Sequence, residues 1–189
     1  MKHSYQITDL CHRLMEEQVM PGDICIDATA GNGNDTEWLC RLVGKTGKVY
    51  AFDIQEEALH KTRERLRVQG MTAEIIHAGH ENMAEYVIER ERVACIVFNF
   101  GYLPGGDHGL ATRLETSVRA ISEGLSLLKE GGALCLCLYS GGDSGFAERE
   151  AILDYLKDLD SQKYLVITME YFNRPNHPPM PVLVKKVRI

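Results

Sequence analysis

The chain has 189 residues, 44% of them hydrophobic and 25% charged, with a formal net charge of −6. That length and balance suit one globular domain with a sizeable core, expected over 1–189 with residues 1–20 as an N-terminal helix packed on it. They exclude a bulk basic field for nucleic acid, so an RNA partner has to be met by a local patch.

Ile7, Leu10, Cys11, Leu14 and Met15 recur at helical spacing over 5–18, and Pro21-Gly22 stops that helix. DICIDAT (23–29) reads as a short strand. A Gly/Asn loop follows, then a helix over 35–43. KVYAFDI (48–54) is the second strand. Residues 55–69 form a charged helix with Ala58, Leu59, Leu66 and Val68 expected inward. AEIIHA (73–78) is the third strand, followed by a short helix over 81–89. RVACIVFN (92–99) is the fourth strand. A helix over 112–128 turns Val118, Ile121, Leu125 and Leu128 inward, and ALCLCLY (133–139) is the fifth strand. A helix over 145–158 precedes YLVITMEYF (164–172) and VLVKKVRI (182–189), the last two strands.

Alternating strands and helices predict an α/β fold with a mostly parallel sheet and helices on both faces. The last two strands have no helix between them, which predicts an antiparallel ending on a seven-stranded sheet. The six cysteines, Cys11, Cys25, Cys40, Cys95, Cys135 and Cys137, form no CxxC pair and sit mainly in apolar runs. Reduced, buried thiols are expected, and no metal site, because His and Cys do not cluster at ligand spacings. No apolar run is long enough to cross a membrane. The opening MKHSYQITDLCHRLMEEQ lacks a signal-peptide core. A cytoplasmic location without a membrane partner is the expectation. Trp38 is expected in the core or at a homodimer contact.

Ligands in such folds bind at the carboxyl ends of the strands. The first such loop is Asp27-Ala28-Thr29-Ala30-Gly31-Asn32-Gly33-Asn34-Asp35. Gly31 and Gly33 allow a sharp turn and close approach of a ligand, and the next helix turns its free N–H groups to the same space. Twenty residues after Gly33, Asp53 ends the second strand, where a carboxylate can accept both ribose hydroxyls. A dinucleotide site wants a third glycine, and that position is Thr36. Acids flanking the loop disfavour a pyrophosphate and favour an ammonium and a sulfonium. S-adenosyl-L-methionine carries both, so it is preferred to the NAD(P) of an oxidoreductase.

DATAGNGND with AFDI resembles the first two motifs of class I S-adenosylmethionine-dependent methyltransferases, Rossmann-like proteins, and the match runs over nearly the whole chain. The resemblance implies that Asp27, Thr29, Gly31, Asn32, Gly33, Asn34 and Asp35 hold the methionine part. It implies that Asp53, with Ile54 beside it, holds the ribose, and that Ala78, Gly79, His80 and Asn82 flank the adenine. His80 reads equally as a surface-loop histidine.

NFGYLPGGD (99–107) is too long for a simple turn. NFGY is similar to the Asn/Asp-Pro-Pro-aromatic pattern that ends the fourth strand in enzymes of this class acting on amino groups, with Phe100-Gly101 in place of the prolines. That resemblance implies that Asn99 accepts the amine's hydrogens and also borders the cofactor. Tyr102 offers a π face, and Pro104, Gly105 and Gly106 shape the loop. Asp107 is the nearest carboxylate to take a proton.

HENM, NFGYLPGGD, T-x-x-E-T (Thr112, Glu115, Thr116) and NRPNHPP resemble one small bacterial family long labelled "putative rRNA methylase". Its members are associated with methylating the amine of 5-aminomethyl-2-thiouridine at the tRNA wobble position. Tyr139-Ser140-Gly141-Gly142-Asp143 departs from the histidine-containing loop expected there. On this reading Arg174, Asn176 and His177 meet the anticodon stem-loop, and Lys2, His3, Arg113 and Arg119 add charge to the same rim. Lys61, Arg63, Arg65 and Arg67 read as a solvated helix face. The rival readings are a methyltransferase for rRNA or a small-molecule amine, which the net charge favours, an NAD(P)-dependent oxidoreductase, and a non-enzymatic module that binds S-adenosylmethionine.

Overall fold

The computed structural model describes residues 5–100, 114–140 and 142–187. The elements run α1 (Ile7–Gln18), β1 (Ile24–Asp27), α2 (Asn34–Val43), β2 (Lys48–Asp53), α3 (Glu56–Gln69), β3 (Glu74–His77) and α4 (Met83–Tyr86). There follow β4 (Val93–Phe100), α5 (Leu114–Leu127), β5 (Leu128–Leu138), α6 (Gly142–Lys157), β6 (Tyr164–Thr168) and β7 (Met180–Lys186).

The strands form one sheet in the order β3-β2-β1-β4-β5-β7-β6. Pairing is parallel from β3 through to β5, and β7 runs antiparallel to both β5 and β6. This is the mostly parallel α/β sheet with an antiparallel last strand that the alternating pattern predicts. The order reverses between β1 and β4, which opens a crevice at their carboxyl ends.

Burial on both faces explains why the central strands are nearly continuous apolar runs. In β4 every residue except Asn99 is buried. One face carries Ile26, Phe52, Ile96, Phe98 and Phe100 against Ile121 and Leu125 of α5 and Ile152 of α6. The other carries Cys25, Val49, Cys95, Val97 and Cys137 against Cys11 and Met15 of α1 and Leu39 and Val43 of α2. All six cysteines are buried and free.

Two expected core positions move. Val68 is 66% exposed, because the buried stripe of α3 runs through Ala58, Leu59, Thr62 and Leu66 and passes it by. Leu128 is buried, but it opens β5 rather than closing α5. Trp38 is half-buried and stacks on His12, with ring centroids 4.5 Å apart. No described helix is long and apolar enough to cross a membrane.

Candidate active site

Cross-strand register carries Asp53 of β2 and Asn99 of β4 each two residues beyond the level of Asp27, the last residue of β1. Asp27 pairs with Ala51 and Val97, Asp53 pairs with His77, and Asn99 pairs with Cys137. The loop after β1 is held at several points. Ala30 donates its N–H to Phe52 O at 2.8 Å, Gly33 donates to Ala30 O at 2.7 Å, and Gly31 donates to Asp53 Oδ2 at 2.9 Å. From α3, the Thr62 hydroxyl donates to Gly31 O at 3.1 Å and Arg65 Nε donates to Asn32 O at 2.7 Å. Arg65 also pairs with Glu37 at 3.0 Å. It therefore does not belong to a merely solvated face; it ties α3 to the loop and to α2.

Gly33 has φ 76°, and a Cβ there would lie 3.0 Å from the Thr62 backbone and hydroxyl. Glycine is needed at that position twice over, for the left-handed backbone and for the space.

Three acids surround the loop. Asp27 is fully buried. One oxygen accepts the Thr29 N–H at 3.1 Å, and the other accepts the Thr36 hydroxyl at 2.6 Å. Burial pushes its carboxyl up to about 7, and the Asp35 charge adds to the rise while the two hydrogen bonds oppose it. Thr36, standing where a dinucleotide site has its third glycine, thus spends its hydroxyl on an acid. Asp53 accepts one backbone N–H on each oxygen, Gly31 and Gln55, both at 2.9 Å. Each oxygen keeps a further lone pair for a ligand hydroxyl.

The third acid, Asp35, meets Asn99. Alternation along β4 turns Asn99 to the face covered by α1 and α2, and its side-chain N–H donates to Asp35 Oδ2 at 2.6 Å. A carboxylate only accepts, so this contact assigns the amide: Nδ2 is committed to Asp35, and Oδ1 is left as an acceptor. The Asn99 backbone N–H donates to the Thr29 hydroxyl at 2.8 Å, which locks the strand end to the glycine loop. His12 of α1 lies 2.8 Å from the other Asp35 oxygen.

Gly79, His80 and Asn82 lie in the turn after β3. His80 is not a surface-loop side chain. Its ring meets Phe98 and Phe100 edge-on at 6.0 and 5.9 Å, and burial holds it below the usual imidazole range. Its Nε2, and Oδ1 of Asn32 in the glycine loop, are shut from solvent without a partner among the described residues. Ile54 is 48% exposed at the end of β2.

Arg174, Asn176 and His177 are exposed in the connection from β6 to β7. Met180 pairs with Leu138, so that connection sits at the same edge of the sheet as Asn99. Asn176 and His177 have φ of 64° and 45°, and His177 meets Phe146 edge-on at 5.2 Å. Phe172 in this segment is 96% exposed, a feature that apolar patterning conceals by reading it as strand. Arg119 is exposed on α5. Ser140 is buried and accepts from Arg149 at 2.7 Å. Tyr102, Pro104 and Asp107, and with them Lys2, His3, Thr112 and Arg113, lie outside the described residues.

The acceptors fit a cationic nucleoside: Asp35 and Asp53 border the glycine loop without being fully buried, and Asp53 has acceptor capacity to spare. Known proteins agree. The family model described as "Putative rRNA methylase" matches residues 49–185. The chain is 32% identical to an Arabidopsis thaliana protein named "tRNA (mnm(5)s(2)U34)-methyltransferase, chloroplastic", over 95% of this chain and 69% of that one. The crystal structure of a "putative rRNA-methylase" from Clostridium thermocellum superposes with a TM-score of 0.94 at 38% identity, covering 98% of this chain and 100% of that one. A "putative methyltransferase" from Streptococcus mutans, solved in complex with SAH, superposes with a TM-score of 0.88 at 36% identity, with the same coverage.

Proposed function

Because the chain belongs to the putative rRNA methylase family and is a Rossmann-like methyltransferase whose cofactor is S-adenosyl-L-methionine, we propose that its acceptor is a tRNA. The group methylated is the aminomethyl substituent of 5-aminomethyl-2-thiouridine at the wobble position. The observation that carries this reading is the Asn99 amide, oriented by Asp35 so that its carbonyl oxygen, which no donor among the described residues takes up, can accept from an amine. The name of the Arabidopsis relative supports the tRNA substrate.

The bound cofactor supplies an electrophilic methyl group on a sulfonium centre. Asp27 and the backbone from Thr29 to Asp35 hold its methionine part. Asp53 accepts the ribose hydroxyls, with Ile54 alongside, and Gly79, His80 and Asn82 border the adenine. Asn99 Oδ1 accepts one amine N–H and so aims the nitrogen lone pair. Positioning of this kind is most of the catalysis in an in-line displacement. A primary alkyl amine is mainly protonated near neutral pH and must lose a proton before it attacks. Asp107 is assigned to take it. Tyr102 and Pro104 are assigned to substrate binding from the sequence alone, and Arg174, Asn176 and His177 to the anticodon stem-loop.

Nucleoside mass spectrometry of tRNA from a deletion strain tests the substrate. Accumulated 5-aminomethyl-2-thiouridine that disappears on restoring the gene is the expected result, and an unchanged wobble profile refutes the assignment. A small-molecule amine is the second reading, favoured by the net charge of −6; labelled cofactor with candidate amines would detect it.

A further inference from the structure

The N-terminal helix contributes a side chain to the same site. His12 Nε2 lies 2.8 Å from Asp35 Oδ1, while Asp35 Oδ2 accepts the Asn99 amide N–H at 2.6 Å. A carboxylate only accepts, so His12 Nε2 is the N–H donor of this hydrogen bond and Asp35 Oδ1 the acceptor. The His12 ring stacks on Trp38 with 9° between the planes, so its orientation is set by packing as well. The His12 and Asp35 side chains are only 21% and 17% exposed, which limits competition from water for this bond.

We infer that His12 is a positioning residue for methyl transfer, acting on Asn99 through Asp35. By occupying Oδ1 it stops the Asp35 carboxylate from turning, and the fixed Oδ2 then holds the Asn99 amide with its carbonyl oxygen toward the amine. The inference rests on the reading that Asn99 receives the amine. Without His12 the carboxylate can rotate, and the amide follows it. In-line transfer tolerates little of this, since a displacement of about 1 Å costs on the order of 10²-fold in rate.

The test is a kinetic cycle on tRNA carrying the wobble aminomethyl group. It uses the wild type, His12→Leu, His12→Gln, Asn99→Ala and the double variant, with S-adenosylmethionine binding titrated for each. His12→Leu is expected to lower kcat about ten-fold or more with cofactor affinity nearly unchanged. His12→Gln keeps an N–H donor at similar reach and is expected to recover most of the rate. The double variant is expected to be no slower than Asn99→Ala alone, because the two changes act on one unit. Where the leucine variant fails to fold, His12→Asn, whose shorter amide stops short of Asp35, carries the same prediction.

A His12→Leu enzyme at full rate beside a slow Asn99→Ala enzyme overturns this inference alone. So does a loss that adds in full to that of Asn99→Ala, or one that appears as weakened cofactor binding. Asn99→Ala at full rate, or a wild type inert on this tRNA, overturns the amine reading and this inference together.

Discussion

The hydroxyl of Thr36 donates to Asp27 at 2.6 Å, and Asp27 itself has no exposure to solvent. A single neutral donor and one backbone N–H are poor compensation for a buried carboxylate, and burial accordingly pushes Asp27 up to about 7.

This shift makes two pH predictions of opposite sense. In the protein without ligand, the folded state holds a proton on Asp27 that the unfolded chain, with a value near 3.8, has already released. Between those values the folded state binds more protons, so the Asp27 contribution to stability falls as pH rises from about 4 to about 7 and is level above. A cationic ligand prefers the ionised form. S-adenosylmethionine affinity is therefore expected to strengthen about ten-fold between pH 6 and pH 8, if only ionised Asp27 binds. Titration at both pH values, with Asp27→Asn as the control, checks this. A slope equal in wild type and variant removes Asp27 as its source.

Gly33 and Gly70 both adopt positive φ, 76° and 64°, but only Gly33 faces a neighbour within reach of a Cβ. Gly70→Ala is expected to cost about 1–2 kcal/mol from backbone strain, with cofactor binding intact. Gly33→Ala adds the contact with Thr62, where an overpacked site costs about a further 1–3 kcal/mol, and it displaces the loop. Urea unfolding and cofactor titration of the two variants separate strain from site damage; equal cofactor affinities contradict the argument.

Asp53 accepts from Gly31 and is assigned the ribose. Asp53→Ala removes both, and hydrogen bonds to a charged group are worth about 1.5–3 kcal/mol each. S-adenosylmethionine binding is expected to weaken about a hundred-fold or more. Calorimetry that finds a change under about five-fold would exclude the ribose assignment.

Phe172, Arg174 and His177 are exposed in the segment from β6 to β7, and on the proposed function they meet an RNA loop. Stacking of a base on an aromatic ring is worth about 1–3 kcal/mol, so Phe172→Ala is expected to raise KM for tRNA about ten-fold at most sites of this kind. Arg174→Ala is expected to lower the salt slope of tRNA binding by about one. If the substrate is a free amine, neither variant changes its turnover.

Much of the fold was legible because its signals are local. Strand and helix alternation, the glycines of the first loop and the acid at the end of β2 lie within short windows whose period or spacing reflects backbone geometry. Arg65 was misread for the same reason: among Lys61, Arg63 and Arg67 it reads as one more solvated charge. Only the packing of α3 against the loop brings it to Asn32, 33 residues away. Val68 fits an apolar count but lies off the stripe that α3 buries, and the phase of that stripe is set by the sheet.

The chain by itself determined which groups were available: acids, a glycine loop and an amide at the end of a strand. Tertiary structure decided what they do to one another. Asn99 is 64 residues from Asp35, and Asp35 is 23 from His12. No local period links such positions. They meet because parallel strands end at one edge and two helices cover the face to which Asn99 alternates. That meeting commits the amide nitrogen to Asp35 and leaves the amide oxygen as the acceptor.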